Sequence, residues 1–568
     1  MDIQRLVLLG ALGISAYMLI LAWNEDYNKP AYLEPVVAQQ AATALPVPAT
    51  EIPGNASAMD ANDIPADMPA IVPAVKSSVT SPIETVASSH YIQVHSDTLN
   101  ITIDLKGGDI VAVTLPEHAV HVETPNVPLT LLENNNTRVY IAQSGLIGPN
   151  GPDSNPNGRP IYHTDFNEYS LEESENELSV KLNYTDISGV DITKEFIFTR
   201  GSYLVDVQYH IENKTANPWL GNFFAQIKRD DSDDPGAGAS FGAQAYLGTA
   251  LFTPDKPYTK LDFDDIAEQP FKQNIEGGWI SMIQHYFISA WIPAADSSHL
   301  YQTRKVANTN QYIIGFTDPV LTVQPGTSAS TGAQFFAGPK IQSWLEEISP
   351  GLELTVDYGW LWFIAQPLFW LLTFIQNIVV NWGVAIILLT MCVKAAFFKL
   401  SATSYRSMAR MRTLQPKMQD IRERYSDDRQ KMSQLTMQLY KDEKVNPLGG
   451  CLPILVQMPV FISLYWTLNE AVELRHAPFL WLTDLSAMDP YFILPIVMGV
   501  TMFIQQQLNP APPDPMQAKM MKMMPIIFTF FFMWFPSGLV LYWLMNNLLS
   551  ISQQWVITRK IEQEASKK

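Results

Sequence analysis

The sequence predicts two unlike halves: an all-β exported domain followed by a multi-pass α-helical membrane core. Three observations predict it. Hydrophobic residues make up 47% of the 568 positions and charged residues only 16%, a balance that leans toward membrane proteins. The charge is unevenly spread: residues 360–568 carry a net +6, and residues 1–359 a net −25. The periodicity also changes, from alternating apolar and polar residues in the acidic half to long apolar runs in the basic half.

Residues 6–22 form an uncharged apolar run after Arg5, with Glu25 and Asp26 beyond it. Positive before and negative after places the N-terminus in the cytoplasm. Bulky Trp23 stands where a cleavage site needs small residues, so residues 1–23 are expected to be an uncleaved anchor. Residues 24–90 are dominated by Ala, Pro, Ser, Thr and Val without a periodic apolar face, and predict a disordered tether. Stretches such as YIQVHSDTLNITIDL and VDITKEFIFTR then alternate between turn residues, predicting one β-sandwich over residues 91–340. A domain hung on an anchor and a tether is expected to couple weakly to the spans.

Residues 341–380 combine an amphipathic stretch with Trp344, Trp360, Trp362 and Trp370, which suits a membrane interface. Further spans are expected at 381–400, 448–468, 490–508, 524–535 and 539–557, making six with the anchor. The core is then residues 381–558, with a basic tail at 559–568. Loop charges fit this topology. Residues 401–447 hold ten basic and six acidic side chains, whereas 469–489 hold one and four. Both termini and the 401–447 loop are therefore expected to be cytoplasmic, and the β domain exported. Within the loop, Met408, Met411, Leu414, Met418, Ile421 and Tyr425, then Met432, Leu435 and Leu439, recur at helical spacing and predict a helical hairpin. The fifth span, at 12 residues, would reach only about 18 Å and thin the bilayer, unless MQAKMMK extends its helix.

Lys394 lies inside an otherwise uncharged span, with Thr390 one turn earlier on the same face. A buried charge there costs about 2.5–3.5 kcal/mol and points to a polar cavity; a snorkelling anchor is the alternative, weakened because Lys399 already occupies the anchoring position. Gln457 adds an amide to the third span, beside Pro453 and Pro459. Gly238-Ala239-Ser240-Phe241-Gly242 matches a nucleophile pattern but lacks a leading strand, so a hydrolase is set aside. The acidic cluster Asp230, Asp231, Asp233 and Asp234 reads as a solvated turn, and no histidine spacing suits a metal. No phosphate-loop motif occurs, and no cofactor is expected. The acidity of the first half argues against nucleic acid.

The stretches NPLGGCLPILVQMPVF, DLSAMDPYFILPIVMGVTMF, DPMQ and FPSGLVLYW, in order and with spacing over residues 341–558, closely resemble the YidC, Oxa and Alb insertases. The anchor, tether and β domain resemble the Gram-negative form, whose periplasmic domain is a β-supersandwich. The resemblance implies a membrane protein insertase and chaperone, without covalent chemistry, of the inner membrane. It implies a hydrophilic groove open to cytoplasm and lipid, with nascent membrane proteins as clients. The Sec translocon, the ribosome and the signal recognition particle receptor are further expected partners. It places Lys394, where the family usually has arginine, in that groove with Thr390, Gln457, Tyr542 and Trp543. Lysine keeps the charge but loses the planar fork, and Trp543 offers an N–H where a tyrosine would offer a hydroxyl. A secondary transporter, the competing class, would show inverted repeats, and none is found.

Overall fold

The computed structural model describes residues 64–65, 90–156, 158–234, 245–425, 428–443, 452–508 and 515–565. The expected anchor, most of the tether and the Gly238–Gly242 pattern lie outside them.

Among the described residues, strands run from Tyr91–His95 to Ser328–Pro339 and form one eleven-stranded and one eight-stranded sheet. The alternation in the sequence explains the layering: Val190–Thr199 buries every second residue. The strand Val139–Ile147 pairs antiparallel with Trp219–Asp230 in the larger sheet, setting Gly145 opposite Phe224. Polar ties cross between the sheets. Tyr140 shares a 2.6 Å hydroxyl hydrogen bond with Ser289, and Trp291 Nε1 donates to the Gln226 carbonyl at 3.1 Å. Lys194 is fully buried, and its ammonium donates to the carbonyls of Gly108 (2.7 Å), Gly107 (3.2 Å) and Ser144 (3.3 Å). Three protons thus meet three acceptors. Gly108 sits at φ +64°, and an added Cβ would press on the Lys194 stem, so that close turn needs glycine.

The C-terminal half is helical: α1 (Gln342–Ile348), α2 (Trp362–Val379), α3 (Trp382–Ala396), α4 (Phe398–Thr413), α5 (Gln415–Arg424), α6 (Arg429–Asp442), α7 (Leu452–Glu470), α8 (Ile493–Leu508), α9 (Pro515–Phe531) and α10 (Ser537–Ala565). Length and apolarity alone single out one span among the described residues, Gly359–Val379, plus the bent pair α3 and α4. The expected number of spans is not reached by that criterion: α8 and α9 have only 16 and 17 residues, and the 29-residue α10 is too polar along its length. The 381–400 span ends at Ala396, where the chain bends by 68° into α4. The fifth helix is longer than its apolar run: MQAKMMK is helical, so α9 covers 17 residues, about 25 Å. In the hairpin, α5 and α6 are linked by Lys417–Glu443 at 2.6 Å and by Tyr440 Oη donating to Met418 Sδ at 3.4 Å.

The expected weak coupling of the β domain is corrected by a set of buried contacts to the end of α7 and the chain just beyond it. Lys340, at the end of the last strand, pairs with Glu470 at 2.9 Å, both nearly inaccessible. Arg475 donates to the carbonyls of Ala119 (2.7 Å) and Val120 (2.8 Å). Burial holds the His285 imidazole below its ordinary value, and the neutral ring donates Nε2–H to the Asn469 carbonyl at 2.8 Å. Flexible tethering could not reveal this, because these residues meet only through the tertiary fold. Removing one partner of such a pair strands the other charge. Lys340→Ala should therefore destabilise the purified protein by about 3–5 kcal/mol, whereas Lys340→Met with Glu470→Leu should stay close to wild type. Thermal unfolding in detergent checks this, and equal losses in both variants would contradict it.

Candidate functional site: a polar seam between membrane helices

The Asn381 side chain caps α3, accepting from the Val384 amide at 3.0 Å. From that start, Ile386, Thr390 and Lys394 follow at four-residue intervals on the buried face. Lys394 falls in the last turn, where the partial negative charge of the helix C-terminus favours an ammonium. Its side chain is only 8% exposed. Nζ donates to Ser550 Oγ on α10 at 2.8 Å, and the Ser550 hydroxyl in turn donates to the Asn546 carbonyl at 2.7 Å. Among the described residues Lys394 has no carboxylate partner and no second acceptor. One of its three ammonium protons is satisfied by protein, against all three for Lys194.

Thr390 is fully buried, and its hydroxyl returns to the Ile386 carbonyl at 2.7 Å. It faces the same way as Lys394 but does not hold it. Gln457 is half-buried on α7. Tyr542 and Trp543 pack against Phe461, one turn beyond Gln457, with ring centroids at 6.5 and 4.4 Å. The Trp543 Nε1–H is buried with no partner among the described residues.

Helix arithmetic aligns these groups in depth. Lys394 is twelve residues from the start of α3, and Ser550 and Gln457 are each thirteen from the Ser537 and Glu470 ends of their helices. At 1.5 Å per residue all three lie about 18–20 Å from those ends. Trp543 lies about 9 Å in, and so forms an aromatic layer on the β-domain side of the polar level.

Sequence reasoning missed Ser550 and the rest of its stripe. Asn547, Ser550 and Gln554 are all buried on one face of α10. Asn547 Nδ2 approaches Thr501 Oγ1 at 3.5 Å, and Gln554 Nε2 donates to the Leu508 carbonyl at 3.1 Å. Their three- and four-residue spacing inside an apolar span was the available signal. The outward faces of α8 and α9 are apolar instead, exposing Val500, Phe503, Met520, Met523, Ile527 and Phe530.

A charge-bearing polar seam inside short apolar helices, joined to an all-β domain, defines a polytopic membrane protein built to hold polar groups within the bilayer. Residues 91–371 match the family model described as "YidC periplasmic domain", and residues 374–564 the one described as "60Kd inner membrane protein". The chain is 55% identical over 571 residues to "Membrane protein insertase YidC" of Pseudomonas fluorescens (strain SBW25). It is 53% identical over 571 residues to that of Pseudomonas putida (strain GB-1). Each alignment covers 100% of both chains. A solved structure, "Active YidC insertase crystal structure with the first transmembrane domain resolved", is 18% identical with a TM-score of 0.38, covering 83% of this chain and 93% of that one. The chain belongs to the YidC family of membrane protein insertases; its function is membrane protein insertion, and it is an inner-membrane protein with a periplasmic domain.

The unpaired indole N–H yields a prediction. Trp543→Phe removes a buried donor that lacks an acceptor and keeps the ring against Phe461 and Phe532. It should leave stability within about 1 kcal/mol of wild type, whereas Trp543→Ala should cost about 3–5 kcal/mol. Thermal unfolding of the two purified variants separates packing from hydrogen bonding.

Proposed function

We propose that insertion proceeds through a hydrophilic groove, open to cytoplasm and lipid, whose polar level is the Lys394–Ser550 seam. The observation that carries this reading is the buried Lys394 ammonium with a single protein acceptor. Its remaining protons are available to water and to acidic residues of a client's outer segment. A polar segment entering such a groove avoids the full desolvation that hydrocarbon would impose. Thr390, Gln457, Tyr542 and Trp543 line the path, with the aromatic pair narrowing it toward the periplasm. The client's apolar segment leaves along the exposed faces of α8 and α9, and its burial in lipid drives the step.

No bond is made or broken in this reading. The cytoplasmic hairpin, residues 401–447, offers a basic, Met-bearing surface suited to the ribosome or the signal recognition particle receptor. The Sec translocon is a partner for clients with large outer segments. The functional units are an anchor (1–23), a tether (24–90), the β domain (91–340), an interfacial region (341–380) and the core (381–558), with both termini cytoplasmic. Cysteine labelling checks that orientation: Ser426→Cys should react only from the cytoplasmic side, and labelling from outside intact cells would reverse it.

Charge at position 394 should matter more than residue identity. One ion pair at 4 Å is worth about 4 kcal/mol at an effective dielectric of 20, enough to bias entry without trapping a helix released to lipid. Lys394→Arg should be tolerated. Lys394→Ala loses charge-assisted hydrogen bonds of about 1.5–3 kcal/mol and should slow acidic-tailed clients roughly tenfold. Lys394→Glu should be slowest. In vitro insertion of one acidic-tailed client reads all three, and equal rates for wild type, Ala and Glu would return Lys394 to a membrane anchor.

A further inference from the structure

The β domain carries a cavity of about 380 Å³ beside the end of its larger sheet. Ile147 and Asn222 are buried at its base, Leu300 and Gln302 form one side, and Asp318 and Val320 form the lip. One further wall does not come from the β domain. Pro65, well before the first strand at Tyr91, lines the cavity, and both Ile64 and Pro65 are half-buried. The sequence reading treated this part of the chain as a free tether.

We propose that the cavity is a docking site for the chain's own tether, seated through the aliphatic–proline pair Ile64–Pro65. Three features fit this occupant. Proline holds the residue before it extended, so the segment arrives already shaped and loses little conformational entropy on docking. The cavity combines apolar walls with buried polar atoms that have no partner among the described residues, Asn222 Oδ1 and Thr317 Oγ1. An extended peptide presents backbone N–H groups that such oxygens accept. The lip is rigid as well. The His299 ring donates from Nδ1 to Asp318 Oδ1 at 2.6 Å and from Nε2 to the Ala294 carbonyl at 2.9 Å, so a buried imidazolium fixes the carboxylate beside the cavity.

The contact need not be strong. A tethered segment sees its site at an effective concentration in the millimolar range, so a dissociation constant of that order suffices for occupancy. Docking also divides the tether. A weak intramolecular plug can be displaced by another extended aliphatic–proline segment.

Disulfide trapping in the full-length protein tests this, in a Cys392→Ala, Cys451→Ala background. Ala66→Cys with Val320→Cys leaves Ile64 and Pro65 intact and should cross-link several-fold faster than Ser57→Cys with Val320→Cys. Adding Ile64→Asp should bring the rate down to that of the Ser57 pair, and excess synthetic peptide of residues 60–68 should do the same. Equal rates for the two tether positions would show a freely diffusing tether and overturn the proposal. Cross-links that form only between chains carrying one cysteine each, mixed in the same membrane, would assign the site to a second copy and overturn the intramolecular dock.

Discussion

An ammonium held about 18 Å along a membrane helix has to be given polar surroundings by the protein, and the arrangement of the core follows from how Lys394 obtains them. Its helix ends two residues later, which places the charge against the negative end of the helix dipole. The chain bends by 68° at that point, and the Lys394 side chain reaches across to α10. There the Ser550 hydroxyl accepts from Lys394 while its own proton goes to the Asn546 carbonyl. A polar stripe on α10 is therefore a requirement of the lysine on α3, and the depth match of the two residues follows from it.

The same protein shows what complete satisfaction of a buried charge looks like. Lys194 has three carbonyls for three protons. Arg159 lies between the carboxylates of Asp109 and Asp153, which hold its guanidinium above its ordinary range despite burial. Lys340 and Glu470 pair across the junction between the β domain and the helices. Each of these charges has a buried counter-charge or a full set of carbonyl acceptors inside the protein. Lys394 differs in kind: one acceptor fixes the side chain's position, and the rest of its hydrogen-bonding capacity faces outward from the protein's own bonds. Compared with these three, Lys394 stands apart as a buried charge with neither a carboxylate partner nor a second acceptor among the described residues.

The amount legible in the sequence tracks how local each cause is. Period-two alternation is a property of single strands, so Val190–Thr199 and its neighbours could be read directly, and the pairing into two sheets followed from their number. Lys394 and Thr390 were legible because a charge in an apolar run is conspicuous. Ser550 was not, since a serine in a span carries no signal until its partner is known; only the stripe with Asn547 and Gln554 could have drawn attention to it. The break after Ala396 lacks a proline or glycine to announce it, and the helicity of MQAKMMK rests on good helix formers in a stretch too polar to read as a span. The Lys340–Glu470 junction was hidden because its partners are 130 residues apart.

That junction changes how the two halves of the molecule relate. Glu470 is the last residue of α7, the helix that carries Gln457 and Phe461, and Phe461 packs on both Tyr542 and Trp543. A buried ion pair at one end of a continuous helix limits how far that helix can slide or tilt, because movement at Glu470 would pull a charge away from its buried counterion Lys340. The aromatic layer lies about 13 Å along the same helix. Any shift of Phe461 relative to Tyr542 and Trp543 has therefore to pivot about the clamped end or be taken up on the α10 side. On the α10 side, the helix packs along both α3 and α4, and the Lys394–Ser550 hydrogen bond is one contact within that packing.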